Sequence, residues 1–282
     1  MFKQGAFVNL LTPDTNEWRR QFNEIEKLPS LDHIEVWTEF IPTREHIREL
    51  RDLLRGIEVI IHGPFIHTSL ASHLPEVVQL TERRFQEAVE FANVISAKVV
   101  TFHAGSYPVF FKKHEALELL AERFEPFTRL TSPLATLENM PMRSHGTMRE
   151  PIGKLADCEA ILKLLPKIRF TLDVGHCLQN EDDYVPFIKK HAERIENIHL
   201  HDGIPRGRAH MGLGQGTLDL DDFLNVLVSV NFNKHVGIET ISSEDTCSSW
   251  SHLCKATLFK GIRSCGSVSS SEALPRRSVS RF

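Results

Sequence analysis

From the N-terminus to about residue 263, short runs of β-branched and aromatic residues alternate with longer segments whose apolar positions recur every three or four residues. The short runs predict strands at Gly5–Asn9, Asp32–Trp37, Glu58–His62, Lys98–His103, Leu134–Glu138, Arg169–Asp173, Glu196–Leu200 and His235–Glu239. The longer segments predict helices at Asp14–Lys27, Thr43–Leu54, Pro75–Ile95, Lys113–Arg129, Lys154–Leu164, Asp182–His191, Leu220–Val230 and Ser249–Lys260. Asp14, Thr43 and Asp219 stand where helix N-caps belong. Units of roughly 32 residues, eight in succession, match the length of a (β/α)8 TIM barrel. An open doubly wound sheet rarely runs to eight regular units, and no GxGxxG follows the first strand. The expected architecture is α/β: one barrel domain over residues 1–263, then a Ser/Arg-rich tail, 264–282, without periodicity and expected to be disordered.

Composition narrows the class. Of 282 residues 41% are hydrophobic and 25% charged, with a net charge of −4, as in an ordinary globular protein. No stretch approaches the ~20 apolar residues of a membrane helix, and the start lacks a signal-peptide core. The five cysteines are widely spaced and form no CxxC, which excludes a zinc finger and favours a reduced, cytoplasmic setting. The 15 histidines are the unusual number, because histidine is the commonest metal ligand.

Those histidines are not scattered. In a barrel the C-terminal ends of the strands surround one shared mouth. The third to eighth strands end in His62-Gly63-Pro64, His103-Ala104-Gly105, Glu138-Asn139, Asp173-Val174-Gly175-His176, His199-Leu200-His201-Asp202 and Glu239-Thr240. The loop after the seventh adds His210 and the glycine-rich Gly212–Gly216. A single histidine at a strand end is an ordinary structural residue, but an unbroken series over six strands is not. Carboxylates crowded into a low-dielectric cleft repel one another, and a divalent cation removes that cost. Mixed His and Asp/Glu donors without thiolate suit Zn²⁺ or Mn²⁺. Of the remaining histidines, only His145, in the loop after the fifth strand, is placed to reach the mouth.

In order and spacing, HGPF, FHAG, LEN, LDVGH, HLHD, HxxLGxG and IET resemble the xylose isomerase-like TIM barrel superfamily, which includes endonuclease IV. The sugar isomerase and epimerase branch implies one divalent ion held by Glu138, Asp173, His199 and Glu239. The endonuclease IV branch implies two or three Zn²⁺ ions and adds His62, His103, His176 and His210. In that branch an acid is expected where this chain has Arg208. A guanidinium cannot ligate a metal. Three outcomes stay open: the third ion is absent, a neighbour such as Asp202 replaces the acid, or Arg208 clamps an anionic substrate.

On these grounds the sequence is expected to encode a zinc-cluster phosphodiester hydrolase acting on a small anionic, nucleotide-like substrate. The metal ligands would be His62, His103, Glu138, Asp173, His176, His199, His210 and Glu239. Glu138, Glu239 and His176 would be catalytic, with Arg208, His201 and Asn139 contacting substrate. The alternative is a sugar or sugar-phosphate isomerase/epimerase using one Mn²⁺, Co²⁺ or Zn²⁺, with Glu138 and Glu239 as bases. Cleavage of abasic DNA is disfavoured, because the loop Trp37–Pro42 carries an acid, Glu39, and no base where endonuclease IV grips DNA. A metal-free binding barrel would be expected to have lost several ligands, and here only one position is altered.

Overall fold

The computed structural model describes residues 1–10, 14–39, 43–142 and 146–262; the tail 264–282 and His145 lie outside them. Eight parallel strands form the barrel: β1 Lys3–Leu10, β2 His33–Thr38, β3 Glu58–His62, β4 Val99–His103, β5 Leu134–Glu138, β6 Phe170–Asp173, β7 Ile195–Leu200 and β8 His235–Ile238. Each pairs with its neighbours in sequence, and β1 pairs with β8 to close the ring. The expected strands all fall here, shifted at their ends by one or two residues. Closure explains the sequence pattern, since every strand is buried on both faces.

Alternation sorts the two faces. Ala6, Val8, Ile34, Val36, Ile61, Phe102, Leu137, Leu172, Ile198 and Ile238 point outward and join the hydrophobic core against the surrounding helices. Positions one residue away point into the lumen. Its middle is polar but satisfied: the Thr171 hydroxyl lies 2.8 Å from those of both Thr101 and Thr136. Gly5 is needed at the lower end, because a Cβ there would lie 2.2 Å from His33 Nε2.

The helices begin where their caps dictate. Asp14, Thr43 and Asp219 accept from the backbone N–H of Asn16, His46 and Asp222. The last helix starts at Ser243, six residues before the expected Ser249, because Ser242 Oγ accepts from Asp245 N–H and donates back to its carboxylate. The expected Lys113–Arg129 helix stops at Phe124 and continues as a 3-10 turn containing Pro126. A short helix, Val174–Gln179, was not expected. Its cap is Asp173, a residue also required at the mouth. Tyr107–Pro108 and Met148–Arg149 form a small antiparallel ribbon. Among the described residues no helix is long and apolar enough to cross a membrane.

His33 is fully buried with no hydrogen-bond partner for either ring nitrogen among the described residues, and its ring meets that of His235 at 5.0 Å. Burial, then the neighbouring His235 and Lys3, hold its pKa well below the usual histidine value of 6.5. Below about pH 6.5 the unfolded chain takes up a proton that the folded chain refuses, so this contribution is complete above that pH and is lost as pH falls. Urea melts of the native protein and His33→Leu should therefore diverge on acidification. The native protein should lose up to about 1.4 kcal/mol per pH unit relative to the variant. A gap that does not change with pH would show that His33 protonates in the folded state.

Candidate metal centre

Strand register sets the ligands at one height. His103 pairs with Glu138 across β4–β5, Asp173 with His199 across β6–β7, and Trp37 with His62 across β2–β3. The eight expected ligands consequently meet at the mouth, although not as one uniform cluster. Glu138, Asp173, His199 and Glu239 each present a donor atom within 4.8 Å of the others, and all four are buried. His62, His103 and Glu138 form a second such group, and His176, His201 and His210 a third.

Glu138 joins the first two groups. Its Oε1 faces His199 Nδ1 at 3.4 Å and His176 Nδ1 at 3.5 Å, while Oε2 faces His103 and His62 Nε2 at 3.3 and 3.5 Å. Burial works against charge on Glu138, yet His199 and His103 outweigh it and hold its carboxyl well below the usual range. Glu239 is lowered in the same way, against burial, chiefly by His199. His199 is raised well above the ordinary histidine value, since Glu239, Glu138 and Glu35 together overcome its burial.

The donor set fits a divalent ion. His199 Nδ1 lies 3.0 Å from Glu239 Oε2, close enough for an ion pair. Yet among the described residues neither atom, nor Glu138 Oε2, completes a directed hydrogen bond. Buried polar atoms that approach this closely without aligning are rare, because each carries a desolvation penalty. A cation among the three carboxylates and the imidazole would satisfy His199 Nδ1 and Glu239 Oε2, while Glu138 Oε2 faces His62 and His103.

Neighbouring residues fix these ligands in place. Asn139 Oδ1 accepts from Asp173 N–H at 2.8 Å, its Nδ2 donates to Asp173 O at 2.9 Å, and its carbonyl lies 2.9 Å from His176 Nδ1. The expected substrate contact Asn139 is therefore a buried clamp on Asp173 and His176. His201 is likewise occupied: Nδ1 accepts from His210 N–H at 2.9 Å and Nε2 lies 3.0 Å from Asp173 Oδ2. A Cβ at Gly175 would sit 1.9 Å from the His201 ring, which accounts for the glycine of LDVGH. Asp202 does not replace the missing acid, since its oxygens accept from Gly203, Gly214 and Leu218 N–H at 2.9 Å each. The glycine-rich loop does bring an amide to an anion, and that anion is the protein's own. Arg208 is exposed on the loop before His210 and lies outside the cavity lining.

The mouth opens into a cavity of about 590 Å³. Trp37 and Phe65 form one wall, with ring centroids 5.3 Å apart and Phe65 5.1 Å from His103. Glu39 holds that wall. It accepts from the amides of Phe65 and Ile66 at 3.1 and 3.2 Å and pairs with Arg84 at 2.7 Å. Sequence reasoning noted Glu39 only as an acid unsuited to DNA. It missed Glu35 altogether; the available signal was the alternation that puts His33, Glu35 and Trp37 on one face of β2.

The sequence profile of the xylose isomerase-like TIM barrel family matches residues 22–256, and the chain belongs to that family. Among characterised folds, it superposes on a D-tagatose 3-epimerase-like protein with a TM-score of 0.78 and 20% identity, covering 93% of this chain and 100% of the other. For an L-ribulose 3-epimerase the values are 0.73 and 14%, over 93% and 98%. The TTHB071 protein of Thermus thermophilus, from crystals soaked with ZnCl2, gives 0.71 and 22% over 92% and 99%. In sequence, the uncharacterized protein MJ1614 of Methanocaldococcus jannaschii is 25% identical over 193 residues, 67% of this chain and 73% of that protein.

These comparisons correct the expected zinc-cluster phosphodiester hydrolase, and with it the abasic-DNA nuclease: several barrels of similar shape bear the names of sugar epimerases. His62 and His103, whose presence had argued for an extra ion, also face each other. His62 Nδ1 lies 3.0 Å from Gly63 O, and its Nε2 lies 3.1 Å from His103 Nε2. These Nε2 atoms and Glu138 Oε2 still lie close enough together to hold an ion, so the pair does not separate the two chemistries.

An ion held by the four buried donors should stabilise the fold by about 4 kcal/mol when present at a thousand times its Kd. At roughly 2 °C per kcal/mol for a domain of this size, chelator treatment should lower the Tm by about 8 °C. Glu138→Ala should abolish that difference, and His103→Ala should preserve most of it. Equal losses in the two variants would place the ion in the His62–His103–Glu138 group instead.

Proposed function

We propose that the protein is a metal-dependent sugar isomerase or epimerase acting on a ketose. The observation that carries this reading is the pair Glu138 and Glu239, two buried carboxylates held ionised and converging on the same ligand group from β5 and the end of β8. Moving a C–H beside a carbonyl requires a base to take the proton and an acid to return it; the carboxylate that takes the proton becomes that acid, and inversion requires the opposing carboxylate to enter the step protonated. The bound divalent ion would polarise the substrate oxygens and stabilise the charge developing there.

The chain's own groups do the rest. Asp173 and His199 would hold the ion together with the two glutamates. Glu138 and Glu239 are the proton-transferring residues. The Nε2 atoms of His176 and His210, 3.4 Å apart and beside the cavity, are placed to bind substrate hydroxyls. Trp37 and Phe65 offer the C–H face of a sugar an apolar wall and exclude water. The described lining contains Glu138, Glu150 and Glu239 but no Lys or Arg, which supports an unphosphorylated sugar over the anion expected from the sequence. Either Mn²⁺, Co²⁺ or Zn²⁺ suits this donor set.

Incubation with ketopentoses and ketohexoses in D2O, with each of these ions in turn, should yield an epimer or isomer carrying deuterium at the reacting carbon. Glu138→Gln and Glu239→Gln should each lower turnover by about 10²- to 10⁴-fold. The proposal fails if no ketose exchanges its proton with any of the ions.

A further inference from the structure

Below the four ligands the barrel lumen holds a carboxylate that the proposed chemistry does not use. Glu35 is fully buried on β2. Its Oε2 accepts from Asn197 Nδ2 at 2.7 Å, and its Oε1 lies 3.2 Å from His199 Nε2. Asn197 and His199 are successive inward residues of β7, so one side chain crosses the lumen and engages both. Phe7 meets the His199 ring edge-on at 5.0 Å and limits its rotation.

Glu35 already accepts from Asn197 through Oε2, and with Oε1 accepting as well the shared hydrogen belongs to His199 Nε2. The other ring nitrogen, Nδ1, is the one facing Glu239 and Glu138. We propose that Glu35 is the positioning residue of the metal centre: it takes the Nε2–H of His199 and turns Nδ1 toward the ion. A carboxylate behind a ligating imidazole fixes the ring's tautomer and raises its basicity, and loss of such a partner typically weakens metal binding ten- to hundredfold. Asn197 completes the device by holding the second carboxylate oxygen, so that Glu35 cannot rotate away. The inference rests on the reading of Glu138, Asp173, His199 and Glu239 as ion ligands.

Glu35→Gln keeps the shape and a neutral acceptor, and Asn197 can turn its amide to pair with the new side chain. The variant therefore removes charge with little change in packing. Competition with a chromogenic chelator should show Zn²⁺ bound ten- to hundredfold more weakly by Glu35→Gln than by the native protein. The melting temperatures of the two chelator-treated proteins should stay close together. In ¹⁵N-histidine-labelled protein, the His199 Nε2–H resonance should lie far downfield and move upfield in the variant. Unchanged Zn²⁺ affinity in Glu35→Gln, or a His199 Nε2 without a proton in the native protein, would overturn the assignment. A native protein that takes no divalent ion would defeat the metal reading instead, and the Nε2–H resonance would still decide whether Glu35 holds the ring.

Discussion

Three carboxylates, Glu138, Asp173 and Glu239, are withdrawn from water at the mouth of one barrel, and much of the local structure answers to the cost of keeping them there. Removing a carboxylate from water costs several kcal/mol even after relaxation, and like charges at this spacing add to it. Histidines compensate from every side: His62 and His103 face Glu138, His201 faces Asp173, and His199 faces both glutamates. Among the described residues the compensation is incomplete at Glu138 Oε2 and where Nδ1 of His199 and Oε2 of Glu239 approach without a directed hydrogen bond. Those unaligned atoms lie within groups of donors close enough together to hold a cation.

The scaffold meets this constraint with backbone as much as with side chains. Asp173 caps the short Val174–Gln179 helix, takes the His201 ring and is clamped through its main chain by Asn139, so a single rotamer serves fold and site together. Asp202, one residue beyond His201, gathers three amides of the following loop and thereby positions His210. On the opposite rim, Glu39 and Arg84 hold Phe65 against Trp37. The charged centre and the apolar wall are thus built by different elements around the same cavity.

Much of this was legible in the chain. Alternating strand and helix patterns identify the barrel, and a polar residue at each strand end identifies the mouth, because both signals are local and periodic. Glu138, Asp173, His199 and Glu239 were readable as candidate ligands because each stands at a strand end, and the fold brings their donor atoms together. Glu35 and Asn197 were not, since a polar residue inside a strand carries no sign of which residue it meets across a lumen. The contacts of Asn139, His201 and Asp202 were equally hidden: Asn139 and Asp202 bond to backbone, and His201 bonds to the His210 amide and the Asp173 carboxylate.

By itself, then, the amino-acid sequence determined the eight-unit barrel, the polar ring at its mouth and the residue types suited to a divalent ion. These depend on short-range periodicity and on donor chemistry, both of which survive in one dimension. Only the tertiary structure decided how the ring divides. Strand register and closure bring Glu35 under His199, give each oxygen of Glu138 a separate group of histidines and leave Arg208 outside the cavity. Those are distances between residues far apart in the chain, and they exist only once the eight strands have closed into a ring.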